Sequence, residues 1–209
     1  MKNNYQTSQE EFWAGEFGDD YTDRNTQARW IASNTALFAK ILARTSGINS
    51  VLELGANRGL NLLALQHLLP NASFSGVEIN RKAATELEKH GFIKVYHESI
   101  LEFTPEVSSS LVLIKGVLIH LNPDVLDQVY ELIVKASSRY ICIAEYYSPT
   151  PVKIGYRGHA ERLFKRDFAG ELMERHSGSK LVDYGFAYHK DPNFPQDDLT
   201  WFLIEKTTG

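Results

Sequence analysis

The feature that most constrains the fold is an alternation of short apolar runs with longer helical patterns from Ser50 onward. Five runs have the composition and length of strands: 51–54, 73–77, 93–96, 111–114 and 140–144. Apolar residues at helical spacing lie between them, in 60–69, 81–89 and 124–135. Strands that alternate with helices predict an α/β fold, in which a mostly parallel sheet is covered by helices on both faces.

The flanking segments complete this interpretation. Residues 28–42 are predicted as a helix, and the polar segment 9–25 carries enough aromatic residues to predict an N-terminal helical lid that excludes water from a site. After the core we expect a loop containing Pro149 and Pro151, and then a helix near 166–174. Two closing strands, 181–188 and 199–204, bring the sheet to seven. We interpret the chain as one Rossmann-like domain, 1–209, with a lid segment 1–45, a core 50–147 and a closing part 148–209.

Composition excludes several kinds of protein. With 43% hydrophobic and 23% charged residues, the chain is neither disordered nor membrane-embedded, and its longest apolar run, 111–121, is interrupted by polar residues. The single Cys142 excludes an internal disulfide framework, and residues 1–10 lack the apolar centre of a secretory signal, so we expect a cytoplasmic protein without a membrane partner. A net charge of -4 argues against a nucleic-acid partner.

The first predicted strand ends in a glycine-bearing turn, 53–59, that opens directly into a helix. Such a turn lets the backbone approach a ligand at the carboxyl end of the strand. Glu78 follows the second strand about 20 residues later, where a carboxylate suits two ribose hydroxyls. A dinucleotide site is built similarly but needs a second glycine where this chain has Asn57, and Glu53 would repel a pyrophosphate. The pattern favours S-adenosylmethionine over NAD.

These residues resemble a known family. Segment 53–59 is similar to motif I of class I S-adenosylmethionine-dependent methyltransferases, Glu78 to their ribose-binding acid, and 115–121 to their segment after the fourth strand. The resemblance implies a set of cofactor-binding residues: Glu53, Gly55, Asn57, Gly59, Glu78, Ile79, Glu98, Ser99, Ile100, Lys115, Gly116 and Val117.

The sequence departs from that family pattern at two places. Asn57 stands where many members have glycine, but asparagine tolerates a left-handed backbone, so we expect the turn to form. Glu98 and Ser99 stand where an aspartate usually meets the adenine amino group.

A narrower resemblance covers nearly the whole chain. Five segments, 12–25, 145–152, 156–159, 163–170 and 194–202, resemble the methylases associated with pseudaminic acid biosynthesis. This resemblance implies a small acidic acceptor, such as a nonulosonic acid, its nucleotide-activated form or a precursor, methylated on oxygen or nitrogen.

Candidate acceptor residues follow the fourth and fifth strands. His120 is a candidate general base, although a histidine here can equally cap a helix or pack in the core. Glu145 and Tyr146 are candidate catalytic residues at the same sheet edge, and Tyr147 is a candidate wall of the acceptor pocket. Methyl transfer depends mainly on positioning, so a base assists only a hydroxyl acceptor, whereas an amine acceptor has only to arrive unprotonated.

A basic segment, 153–166, favours an anionic acceptor. Within it, Arg157 and His159 are predicted in a glycine-flanked loop as acceptor ligands, whereas Arg162, Lys165 and Arg166 are interpreted as solvated charges. At the N-terminus, Tyr21 and Arg24 are predicted to meet the methionine carboxylate.

Three alternatives are weighed against this hypothesis. The cluster of His189, Asp191, Asp197 and Asp198 lacks regular metal-ligand spacing, so we predict no metal site. Methylation of a nucleic-acid base requires a different tetrad after the fourth strand than the sequence at 115–118. A non-catalytic cofactor-binding module needs no acceptor pocket, and methylation of an unrelated small molecule stays open.

Overall fold

The computed structural model describes residues 5–24, 28–156 and 159–207. The strands are β1 (Ser50–Leu54), β2 (Ser73–Val77), β3 (Ile93–Tyr96), β4 (Ser109–Lys115), β5 (Ser137–Glu145), β6 (Val152–Tyr156), β7 (His159–Lys165), β8 (Ser179–Ala187) and β9 (Leu199–Lys206). The α-helices are α1 (Ser8–Ala14), α2 (Glu16–Arg24), α3 (Ala28–Leu42), α4 (Leu60–Leu68), α5 (Arg81–Glu88), α6 (Leu126–Ala136) and α7 (Phe168–Arg175). Two 3₁₀ turns, Leu118–His120 and Pro123–Val125, precede α6.

Seven strands form one sheet in the order β3-β2-β1-β4-β5-β9-β8. Strands β1 to β5 are mutually parallel, β9 runs antiparallel to β5, and β8 runs antiparallel to β9. The central strand β4 is buried from Ser109 to Ile114, which explains its unbroken apolar run. The predicted Rossmann-like, mostly parallel seven-stranded sheet is confirmed.

Helices cover both faces of this sheet. On one face, α3, α4 and α5 bury Phe38, Leu62 and Leu87, and on the other, α6 and α7 bury Val129 and Leu172. Because β1 to β4 are parallel, their carboxyl ends lie at one edge, which is where ligands bind in open α/β sheets.

The segment after β5 differs from its prediction. No strand was predicted between the loop containing Pro149 and Pro151 and the helix near 166–174, but β6 and β7 pair there as an antiparallel hairpin with Val152 opposite Lys165. Residues 157–158, at its tip, lie outside the described part. Four of the five β6 residues are exposed, so this strand lacks the alternation of buried and exposed side chains that identifies strands in a sequence.

The N-terminal helices lie across the carboxyl edge of the sheet. Helix α1 begins with a capping box in which Thr7 and Glu10 exchange hydrogen bonds. Asp19 of α2 accepts a 2.9 Å hydrogen bond from Nδ2 of Asn80, and Asp23 pairs with Lys82 on α5. Asn80 Nδ2 also donates to the Trp13 carbonyl of α1 at 3.2 Å, so both α1 and α2 lie over the predicted site, while opening and closing as a lid stays a prediction. Within the described ranges, no helix combines the length and apolarity needed to cross a bilayer.

Candidate functional site

The turn after β1 depends on three residues with left-handed backbone. Gly55, Asn57 and Gly59 have φ values of 76°, 47° and 86°. A Cβ on Gly55 would lie 2.5 Å from the Val117 side chain, and one on Gly59 would lie 2.6 Å from Leu87. Gly55 therefore lets the loop pack against the segment after β4, Gly59 lets α4 approach α5, and Asn57 takes the expected left-handed conformation.

The backbone N–H groups of this loop are all engaged within the chain. Those of Gly55 and Ala56 donate to the Val77 carbonyl, that of Arg58 donates to Asn57 Oδ1, and that of Gly59 donates to the Ala56 carbonyl. The Asn57 N–H donates to Glu78 Oε2 at 2.7 Å. The loop thus offers no N–H group from 55–59 to a pyrophosphate.

Glu78 lies at the end of β2 and is held from two sides. Its Oε2 accepts the Asn57 N–H, and its Oε1 accepts the Asn80 N–H at 2.7 Å. Burial raises the pKa of this carboxyl, while the backbone N–H groups oppose the rise. Each oxygen keeps acceptor capacity because a carboxylate accepts about four hydrogen bonds.

One pocket joins the predicted site residues. It lies at the carboxyl edge of the sheet and is lined by residues that follow β1, β2, β3 and β4 and by residues of α1 and α2. Of the predicted cofactor residues, these line it: Tyr21, Gly55, Asn57, Glu78, Ile79, Ser99, Ile100, Lys115, Gly116 and Val117.

Four predicted cofactor residues lie elsewhere. Glu53 is fully buried beneath the loop, Gly59 packs against α5, and Glu98 lies beside the pocket lining without joining it. Arg24 is exposed at the end of α2, with its guanidinium 5.7 Å from the centre of the Phe17 ring. The positions of these four residues therefore do not support a direct contact with the cofactor.

Buried polar groups underlie the pocket beside Lys115. Oε1 of Glu53 accepts a 2.6 Å hydrogen bond from Asn61, whereas Glu53 Oε2 and Asn61 Oδ1 are buried acceptors without a hydrogen-bond partner among the described residues. Burial raises the pKa of Glu53 to about 8, and burial lowers the pKa of Lys115. Asn61 lines the pocket, and its buried Oδ1 without a donor favours a ligand that brings N–H groups.

His120 is the predicted acceptor residue that lines the pocket. Its Nδ1 lies 2.7 Å from the Arg162 carbonyl, and its ring lies between Trp13 and Tyr156, with centroid distances of 4.7 and 4.9 Å. Because a carbonyl only accepts, Nδ1 carries the proton and Nε2 carries the lone pair. Burial lowers the pKa of His120 to about 4, so the imidazole is neutral at pH 7.

Glu145 is placed differently from its prediction as a catalytic residue. It is buried, and its Oε1 accepts hydrogen bonds of 2.9 Å from the N–H groups of both Val117 and Leu118. Burial raises its pKa to about 8 against the opposing effect of these N–H groups. The side chain turns into the core at the end of β5, where Glu145 holds the turn that leads to His120.

The neighbouring tyrosines also lie outside the pocket lining. Tyr146 packs against the core with Lys165 Nζ 5.2 Å from its ring centre, and burial raises the pKa of its hydroxyl. Tyr147 is 42% exposed and its ring lies 6.0 Å from Phe202. Their predicted roles in catalysis and acceptor binding gain no support from these positions.

The basic segment is only partly described. Arg157 lies outside the described residues, and of His159 only the backbone, at the start of β7, is described. Arg162 donates to Ser8 and stacks on Phe12, and Arg166 pairs with Glu171 at 2.8 Å. Arg162 and Arg166 are therefore engaged in contacts within the chain rather than being simply solvated.

Several pocket residues were not assigned to the site from sequence. Gln196 and Asn34 form a buried 2.9 Å hydrogen bond between the segment before β9 and α3, and both line the pocket with Asp197 and Glu10. From the sequence, Asp197 was considered only as a metal ligand, because it is far from Lys115 along the chain. In the structure both residues line the same pocket. No cluster of three or more His, Cys, Asp or Glu residues suited to a metal is found in the described ranges.

Solved structures of the same fold are methyltransferases. The Burkholderia thailandensis 1,6-didemethyltoxoflavin-N1-methyltransferase, with bound 1,6-didemethyltoxoflavin and S-adenosylhomocysteine, matches with a TM-score of 0.68 at 17% identity, over 99% of this chain and 93% of that one. The Synechocystis PCC 6803 magnesium protoporphyrin IX methyltransferase with bound S-adenosylhomocysteine gives 0.68 at 11% identity, over 95% and 97%. The plantazolicin methyltransferase gives 0.64 at 13% identity, over 92% and 90%.

No protein-family model and no curated protein matches this chain. At these low identities the solved structures establish the fold. The chain has the Rossmann-like fold of class I methyltransferases.

Proposed function

We propose that the protein is an S-adenosylmethionine-dependent methyltransferase that acts on a small molecule. The observation that carries this proposal is a single pocket that runs from the Glu78 carboxylate, past Lys115, to His120. One end has the chemistry for a nucleoside, and the other has a neutral imidazole. The fold is also that of solved enzymes that hold S-adenosylmethionine or S-adenosylhomocysteine.

The residues present fit this cofactor. Glu78 offers acceptor capacity to two ribose hydroxyls, and Ile79 and Ile100 offer apolar surface to a base. The buried acceptor Asn61 Oδ1, on a residue that lines the pocket, suits the ammonium of the methionine part. A dinucleotide fits less well, because the loop N–H groups that would bind its pyrophosphate already have partners.

When bound, S-adenosylmethionine supplies an electrophilic methyl group. The chain holds the acceptor in line with that group, and water is excluded by the N-terminal helices that carry Trp13 and Tyr21 over the pocket. His120 takes the proton from an acceptor hydroxyl on Nε2, while the Arg162 carbonyl keeps Nδ1–H in place. Glu145 positions His120 by holding the turn that precedes it.

We further propose that the acceptor is a small acidic metabolite, such as a nonulosonic sugar acid, methylated on oxygen or nitrogen. Lys115 supports this proposal because it places N–H donors on the pocket wall that can hydrogen-bond to a carboxylate. Arg157 and His159 stay predicted ligands of the same acidic group. Tyr21, which lines the pocket, stays the predicted partner of the methionine carboxylate.

A methyl-release assay tests the proposal. The protein is incubated with S-adenosylmethionine and a panel of acidic sugars, their cytidine-nucleotide forms, neutral sugars and amines, and S-adenosylhomocysteine is quantified. We expect turnover with an acidic sugar and at least ~100-fold less with His120→Asn. Turnover confined to amines or neutral compounds would overturn the acceptor class, and binding of the cofactor without turnover of any kind would favour a non-catalytic module.

A further inference from the structure

The pocket that contains Glu78 is also lined by a carboxylate from the N-terminal helix α1. Ile79 and Ser99 follow β2 and β3, and next to them lies Glu10 of α1, which is 6% exposed and lines the same pocket. If the proposed function holds, the ribose on Glu78 directs the nucleoside base toward this wall.

The hydroxyl group of Ser99 is hydrogen-bonded to Glu10. Its hydroxyl proton is donated to Glu10 Oε1, and its oxygen accepts the Leu101 N–H at 3.0 Å. With its one proton used, Ser99 presents the Glu10 carboxylate to the pocket.

Glu10 keeps capacity to accept another hydrogen bond. Its Oε2 accepts the Thr7 N–H at 2.8 Å and lies 3.3 Å from the Thr7 hydroxyl, whereas Oε1 receives Ser99. In the described ranges Glu10 forms no ion pair with a lysine, arginine or histidine. A buried carboxylate without a cation needs hydrogen-bond donors, and each of its oxygens has more than one lone pair. This end of the pocket therefore selects a donor group.

We propose that Glu10 reads the exocyclic amino group of the adenine ring, so that the base-specific contact of the cofactor comes from the N-terminal helix. An amino group donates two hydrogens, which an acceptor-only carboxylate matches. A base carrying a carbonyl at the same position would face the carboxylate with lone pairs and be rejected. Recognition of the base thereby requires α1 to be docked.

The same helix connects base recognition with the acceptor end. Trp13 lies one turn after Glu10 and contacts the His120 ring at 4.7 Å, so both side chains share a helix face. Docking of Glu10 on Ser99 consequently brings the Trp13 ring against His120, the candidate general base.

Two nucleosides test the proposal by calorimetric titration: S-adenosylhomocysteine, and S-inosylhomocysteine, in which oxygen replaces the amino group. We expect the wild type to prefer S-adenosylhomocysteine by at least about tenfold. In Glu10→Gln, which keeps the size and capping capacity of the side chain, that preference should fall by at least about tenfold. The matched control is Glu11→Gln, an exposed neighbour on α1, which should keep the wild-type preference.

Three different results would contradict either the role of Glu10 or the proposed function, and they can be told apart. Equal affinity of the wild type for the two nucleosides overturns the proposal without recourse to any variant. Equal weakening of both nucleosides by Glu10→Gln also overturns it, because an anchor for α1 alone would act on both. If the wild type binds neither nucleoside, the proposed function itself fails.

Discussion

The backbone N–H of Asn57 donates a 2.7 Å hydrogen bond to Oε2 of Glu78. This bond joins the turn after β1 to the acid at the end of β2, so the two sequence features that predict the cofactor form one structural unit. Glu78 is consequently both a candidate ligand and a support for the loop. Substitutions at either residue should affect the other.

Position 57 should accept glycine without a large loss of stability, but it should not accept a β-branched residue. Its φ of 47° is left-handed, which glycine adopts freely and valine does not. We expect Asn57→Gly to change the free energy of unfolding by less than about 1 kcal/mol and Asn57→Val to lower it by about 1–3 kcal/mol. Urea denaturation measures both, and equal stability of the two variants would contradict the assigned backbone role.

Glu78→Gln should weaken cofactor binding more than it weakens folding. The amide keeps one oxygen acceptor but cannot accept from both Asn57 and Asn80 and still bind two hydroxyls. We expect the Kd for S-adenosylhomocysteine to rise by about tenfold or more. Glu88→Gln, at an exposed position on α5, is the control and should leave the Kd unchanged. An unchanged Kd in Glu78→Gln would remove Glu78 from the site.

The core of the fold could be predicted because its signals are local. The apolar run of β4 and the glycines at 55 and 59 are legible in the sequence, since burial on both faces and left-handed φ values restrict residue choice. The 152–165 hairpin could not be predicted, because its exposed first strand imposes no alternation on the side chains.

His120 should titrate far below an ordinary histidine. Burial lowers its pKa to about 4, so it stays neutral at pH values where a histidine of the unfolded chain, with the ordinary pKa of 6.5, is protonated. Protons therefore bind the unfolded state preferentially between these values, and stability should be lost as pH falls from about 6.5 to about 4. The chemical shift of the His120 ring proton, followed as a function of pH, checks this. A midpoint near the ordinary value would contradict a buried neutral imidazole.

Glu145→Gln should flatten the dependence of stability on pH. The pKa of Glu145 is raised from 4.5 to about 8, so its contribution is fully present below pH 4.5 and is lost as pH rises through 8. Glutamine keeps an oxygen for the Val117 and Leu118 N–H groups but does not titrate. Between about pH 5 and pH 8 we expect the variant to lose less stability than the wild type, by on the order of 2 kcal/mol.

The control for this measurement is Glu131→Gln, whose side chain is 75% exposed and should follow the wild type. If the stability of Glu145→Gln and of the wild type depended identically on pH, the Glu145 carboxyl would not have the raised pKa that its burial predicts.

The site was less predictable than the fold, because side-chain direction at a strand end is decided by tertiary contacts. Glu145 and His120 lie at neighbouring strand ends, yet one turns into the core and the other lines the pocket. Glu10 meets Ser99 across 89 positions of sequence, and that contact depends on how α1 docks. Arg24 was assigned with Tyr21 as part of a lid over the cofactor, and it faces solvent on α2.

The central claim is that the loop and Glu78 form a site for S-adenosylmethionine and not for a dinucleotide. Calorimetric titration of the protein with S-adenosylmethionine, S-adenosylhomocysteine and NADH tests it most directly. The account predicts saturable binding of both sulfur nucleosides and no measurable heat with NADH, because the loop N–H groups are already engaged. Tight binding of NADH without response to S-adenosylmethionine would contradict it.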